Sequence, residues 1–221
     1  MTLLRFSLVT VSAIALLCEG AYSEPRVTAF DNDGMITING QRAFIIGSYS
    51  AQCKYLDRPI SQGFTELAEA GFNLVNAGSA ADMDAAHAAG LMTWMSVGTL
   101  DMAKRAESEK ALRERVAAIK DHPALAFIET VDEPVWTWKS AEIRVPAEPF
   151  IEAYPIIKET DPNHLLYMNH APTNLVKTMR AYNGGTDIVA MDIYPVNPGD
   201  LKEMYALFED GHQGDLNNIY I

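Results

Sequence analysis

Leu125-Ala126-Phe127-Ile128-Glu129-Thr130-Val131-Asp132-Glu133-Pro134 is the stretch on which the fold turns. Residues 125–131 are largely apolar and β-prone, broken by Glu129 and Thr130, and predict a short strand. The strand runs straight into two carboxylates and a proline, with Trp136 and Trp138 close behind. Strand alternation would set Glu129, Val131 and Glu133 on one face. In parallel α/β folds the chemistry sits at the carboxyl ends of the strands. A carboxylic acid at such a mouth, flanked by tryptophans, has its ionised form disfavoured by desolvation, which suits it to general-acid work.

Working outward, the same rhythm repeats. Apolar runs at 43–49, 72–76, 91–97, 165–169 and 188–194 predict further strands. Helical stretches lie between them. The first, 60–70, has Phe64, Leu67 and Ala68 on one face and Gly71 as its stop. The second, 82–89, closes at Gly90. The third, 107–120, carries Leu112, Val116 and Ile119 on one stripe with charges opposite, and His122-Pro123 ends it. Helices are also expected over 149–160, 173–181 and 201–208. Near the amino end, Asn39-Gly40 between apolar alternation signals a hairpin. Strands alternating with helices argue for βαβ units and a parallel sheet. Six such units fit either three quarters of a (β/α)8 barrel or a doubly wound open sheet. Gly184-Gly185 precedes a strand and is a turn, not a phosphate loop.

The polar residues at the strand ends form the candidate site. They are Tyr49 and Gln52, Asn76, Trp94 and Ser96, Asp132 and Glu133, Asn169 and His170, then Asp192 and Tyr194. Glu129, inside its strand, reads as a structural ion-paired carboxylate. Trp136 and Trp138 offer flat faces to a sugar ring or pack their loop. His170 either bonds substrate or packs the strand end.

The 221 residues are 48% hydrophobic and 21% charged, a globular composition. The net charge of -12 disfavours nucleic acid and anionic membrane surfaces as partners. Arg5, an apolar run over 6–18 and Ala21-Tyr22-Ser23 resemble a secretory signal cleaved near Ser23, so a secreted or periplasmic location is expected. Leu16 and Leu17 make lipid anchoring at Cys18 a poorer match. With Cys53 as the one remaining cysteine, no internal disulfide is expected. The histidines are dispersed, and neither a metal site nor a cofactor is expected.

The stretch 128–134 resembles the fourth-strand signature of glycoside hydrolase clan A, the retaining glycosidases built on a (β/α)8 barrel. That signature normally reads Asn-Glu-Pro. His122-Pro123-Ala124-Leu125, Ile38-Asn39-Gly40-Gln41-Arg42-Ala43-Phe44 with Gly47, and Ala70-Gly71-Phe72-Asn73-Leu74-Val75 look like other parts of the clan pattern. The resemblance spans residues 38–195. It implies Glu133 as catalytic acid/base and a β-linked oligosaccharide, polysaccharide or other glycoside as substrate. Asp132 stands where the clan has the asparagine that holds the sugar. Trp136, Trp138, Asn169, His170 and Tyr194 are the remaining substrate-binding candidates, Tyr194 resembling the tyrosine that supports the nucleophile. The clan's nucleophile is a glutamate ending a seventh strand, and none is found here; Glu209 ends a helix and Asp192 comes one strand early. The expectation is therefore a signal peptide over 1–23, a β-hairpin over 24–42 and an incomplete glycoside-hydrolase-like barrel over 43–221, inactive on its own. The alternative is a non-catalytic carbohydrate-binding or scaffold barrel.

Overall fold

The computed structural model describes residues 24–49, 58–135, 145–171 and 179–191. The signal sequence expected over 1–23, Gln52, Cys53, Trp136, Trp138, Asp192, Tyr194 and the helix expected over 201–208 lie outside the described residues, as does most of the helix expected over 173–181.

The chain opens with a small antiparallel sheet of β1 (Thr28–Phe30), β2 (Ile36–Ile38) and β3 (Gln41–Arg42). Asn39 and Gly40 join the last two, with φ of 51° and 78°. Two consecutive positive φ values make the tight hairpin turn for which Asn-Gly is suited. Arg42 pairs with Asp31 and Asp33 across the sheet.

A six-stranded parallel sheet follows. Its strands are β4 (Gly47–Ser48), β5 (Leu74–Asn76), β6 (Met92–Ser96), β7 (Leu125–Glu129), β8 (Leu165–His170) and β9 (Ile188–Met191). They lie in chain order, each parallel to the next. A doubly wound sheet reverses its order once, so that alternative is excluded. The sheet curls into a half-barrel. Among the described residues its crossover helices are α1 (Ile60–Glu69), α2 (Ala80–Ala88), α3 (Arg105–Ile119) and α4 (Glu148–Thr160). No helix among the described residues is long and apolar enough to cross a membrane.

The strand residues divide between two cores, and the register shift between Thr93 and Trp94 puts Leu125 and Phe127 in different ones. Outward residues Leu125, Ile128 and Leu166 pack with Leu112, Val116 and Ile119 of α3 and Ile156 and Ile157 of α4. Inward residues Leu74, Met92, Trp94, Phe127 and Leu165 form a second cluster, which Ile36 and Ile38 of the small sheet join. The small sheet is tied to the amino ends of the barrel strands. Arg26 donates to the Pro123 carbonyl at 2.6 Å, and the Thr28 hydroxyl accepts from the Leu165 N–H at 2.7 Å. It therefore floors the half-barrel and leaves the opposite, carboxyl-end mouth for function.

Two strand expectations are corrected. The first strand, expected over 43–49, is only Gly47–Ser48. Ala43 still bonds to Ile36 of the small sheet, and Asn73 holds both the Phe44 carbonyl and the Ile46 N–H. The chain there leads from floor to wall instead of running in the ladder. The fourth strand ends at Glu129, not at 131. The glycine pair is a short 3-10 turn, Asn183–Gly185, and a Cβ on Gly185 would stand 2.8 Å from Phe150 Cβ. Only glycine fits that contact between turn and α4.

Candidate active site

Neighbouring strands in register place their inward side chains side by side. Ser96, Glu129 and Tyr167 are such a row, through the pairs Ser96–Glu129 and Glu129–Tyr167. Glu129 is 1% exposed. The Ser96 hydroxyl donates to its Oε2. The Tyr49 hydroxyl, just past β4, lies 3.2 Å from Glu129 Oε1 and 3.0 Å from Asp132 Oδ1. Tyr167 hydrogen-bonds to both Glu129 and Tyr49. Asn169, two residues further along β8, donates from Nδ2 to Asp132 Oδ1 at 2.9 Å. Among the described residues, Glu129 is therefore held by hydroxyls and not by the ion pair expected from the sequence.

One rung below, Trp94 meets the Tyr49 ring edge-on at 5.1 Å and the Tyr167 ring at 6.1 Å. Below the polar ring lies an apolar hollow of ≈ 180 Å³, lined by Tyr49, Leu74, Trp94, Phe127, Tyr167 and Ile188. The mouth is thus a ring of polar groups over an aromatic floor, the usual form of a small-molecule site.

Burial pushes the Glu129 carboxyl above its ordinary value. Hydrogen bonds from Ser96 and Tyr167 oppose that rise, and the charge of Asp132 adds to it. Burial and the neighbouring Glu129 raise both phenols well above the usual tyrosine range. Tyr49 and Tyr167 are therefore protonated donors at any ordinary pH.

The loop after β7 carries Asp132 and Glu133. It is fixed by backbone bonds from Val97 N to Glu129 O, Gly98 N to Thr130 O and Glu133 N to Asn169 O, at 2.8, 2.9 and 3.1 Å. Glu133 is half-buried with φ of 44°. A left-handed conformation is unusual for glutamate and clusters at functional sites. Because the strand has ended and the backbone has turned over, strand alternation does not carry Glu133 onto the face of Glu129. The left-handed turn and the bond to Asn169 set its position instead.

His170 is not brought to the mouth. Adjacent strand residues face opposite sides, so His170 lies opposite Asn169, beside Met168 and against the Tyr182 ring at 5.8 Å. It is fully buried, neither ring nitrogen has a hydrogen-bond partner among the described residues, and burial lowers its pKa. Asp132 and Asn169 are brought together; Trp136, Trp138 and Tyr194 lie outside the described residues. Tyr167 is the residue that sequence reasoning missed, although its place two before Asn169 was a usable signal. No three His, Cys, Asp or Glu side chains gather as a metal site would need, among the described residues.

No protein-family model matches the chain, and no curated protein matches it. Solved structures do. A β-glucuronidase from Parabacteroides merdae matches with a TM-score of 0.53 and 17% identity, over 76% of this chain and 22% of that one. A β-glucuronidase 2 from Bacteroides uniformis matches with a TM-score of 0.56 and 17% identity, over 85% and 26%. A glycosyl hydrolase family 2 member from Bacteroides cellulosilyticus matches with a TM-score of 0.53 and 16% identity, over 82% and 26%. The fold is therefore glycoside-hydrolase-like, and the chain spans about a quarter of the length of these neighbours.

Proposed function

We propose that this chain is the larger part of a TIM-type barrel of a retaining glycoside hydrolase of clan A, acting on β-linked glycosides, with Glu133 as acid/base. The observation that carries the reading is the polar ring of Glu129, Tyr49, Asp132 and Asn169 at the carboxyl ends of the strands, with Glu133 on the same fixed loop. Asp132 Oδ1 already takes two bonds, from Tyr49 and Asn169, which holds the carboxylate in one orientation for a sugar hydroxyl. The aromatic floor suits the apolar face of a sugar ring. The β-glucuronidase and family 2 neighbours support a glycoside as the substrate class.

Retention requires a second, ionised carboxylate about 5–5.5 Å from the first. Glu129 is unsuited, because its burial favours the neutral form. No residue of the 221 is assigned as the nucleophile, and the chain alone is therefore expected to be inactive. The rival reading, a sugar-binding barrel without chemistry, uses the same polar ring as hydroxyl acceptors only.

The test is Glu133→Gln in the protein that carries this barrel together with its nucleophile. Hydrolysis of a glycoside with a poor leaving group should fall by about 10²–10⁴-fold. A substrate with an activated leaving group should keep its first step, and azide should restore the second. Unchanged turnover of an unactivated glycoside by Glu133→Gln would remove Glu133 from the mechanism. Robust retaining activity from the 221-residue chain alone would put the nucleophile within it.

A further inference from the structure

The Tyr49 hydroxyl touches two carboxyl groups and carries one proton. It lies 3.2 Å from Glu129 Oε1 and 3.0 Å from Asp132 Oδ1. If both carboxyls were ionised, one contact would set the tyrosine lone pairs against an unshared negative oxygen. A proton on one carboxyl removes the conflict, since that acid donates to Tyr49 while Tyr49 donates to the other. The surroundings decide which acid holds it. Glu129 is 1% exposed, while Asp132 is open to solvent and takes a second bond from Asn169. Ionisation is the more costly at the buried position.

We propose that Glu129, Tyr49 and Asp132 form a proton-sharing chain, in which the buried glutamic acid stores a proton and the rim aspartate delivers it. The transfer balances. Glu129 gives its proton to the Tyr49 oxygen as Tyr49 gives its own to Asp132. Glu129 becomes a carboxylate, Asp132 becomes an acid and Tyr49 is unchanged. The hydroxyls of Ser96 and Tyr167 then stabilise the new charge on Glu129. The ligand it serves is one that sets an acceptor oxygen against Asp132, such as a sugar hydroxyl, while the leaving oxygen belongs to Glu133. The inference goes beyond the assignment of Glu133, which neither step involves. Among the described residues, the groups facing Glu129 from the packed elements are Ser96 on β6, Tyr167 on β8, Tyr49 after β4 and Asp132 on its own loop; Asp132 is the charged one among them.

The test follows the carbon-13 resonance of the Glu129 carboxyl through a pH titration of the 221-residue chain. An acid that shares its proton with a neighbour shows both steps of the pair in its own curve. The expected result is a Glu129 that keeps its proton above the ordinary glutamate range, with a curve of more than one step. Tyr49→Phe should reduce that curve to a single step, while burial still holds it above the ordinary range. Asp132→Asn, which removes the second acid and keeps its shape, should do the same and serves if Tyr49→Phe does not fold. A Glu129 that titrates in the ordinary glutamate range overturns the proposal, as does a Glu129 curve that is the same in the parent chain and in either variant. Sugar binding does not enter this readout, so its outcome is separate from that of the glycosidase reading.

Discussion

Glu129 and Asp161 are both about 1% exposed, yet their surroundings move them in opposite directions. Burial pushes Asp161 up, but the His164 side chain at 2.7 Å and the N–H groups of Asn163 and His164 outweigh it, and the carboxyl falls below its ordinary value. Asp161 therefore adds stability above its unfolded value of 3.8, and that stability is lost as pH falls through the lower folded value. Glu129 has no cation among the described residues to offset its burial, and it rises. Between the unfolded value of 4.5 and the higher folded value, the native state holds a proton that the unfolded chain has released. The contribution of Glu129 is then fully present below pH 4.5 and shrinks as pH climbs. Glu129→Gln deletes that titration. Measured by thermal unfolding of both proteins from pH 5 upward, the variant should gain on the parent as pH rises. A constant gap across that range would mean that Glu129 ionises alike in both states. The sequence made Glu129 visible as a buried acid but suggested an ion pair, because the hydroxyls that hold it come from β6, β8 and the segment after β4, and only the register brings them together.

At the scale of elements, the four described helices and the alternation of strand with helix were legible, because periodicity and glycine stops are local signals. Helix α3 kept its stripe of Leu112, Val116 and Ile119. Ends were less legible where a side chain, not periodicity, sets them. Helix α2 was expected from residue 82 and begins at Ala80, since the Ser79 hydroxyl caps it by accepting from the Asp82 N–H at 3.1 Å. Asp82 in turn accepts from the Gly78 N–H at 3.1 Å, which binds the turn after β5 to the helix. Ser79→Ala should cost about 1 kcal/mol, read from denaturant unfolding, with Ser79→Asp recovering most of it. No loss on Ser79→Ala would mean that water satisfies the helix end equally well. The end of β7 was the costlier misreading. Alternation cannot foresee a backbone that turns left-handed, and Glu133 does so with φ of 44°.

For the whole molecule, the question is what the half-barrel does with its open side. In a closed barrel every strand has two neighbours. Here β9 pairs with β8 alone among the described residues. Its outward residues Val189 and Met191 are 47% and 37% exposed, while Ile188 and Ala190 face the hollow. The outward face of an inner barrel strand is normally covered by a helix, which is why β-branched and apolar residues stand there. An unpaired strand with apolar side chains invites another chain to add to it, and natural edges are protected by charge, above all by lysine. The net charge of -12 opposes association at long range, but salt screens it beyond about 8 Å at physiological strength. Strand addition acts at shorter range than that. The 221-residue chain is therefore expected to self-associate as its concentration rises, and more readily at high salt than at low. Val189→Lys should weaken that association without touching the polar ring, since Val189 points away from the hollow. Sedimentation velocity over a range of concentrations and two salt levels makes the comparison. A monomer at every concentration, with no difference between the parent and Val189→Lys, would mean that the β9 edge is already covered within the chain.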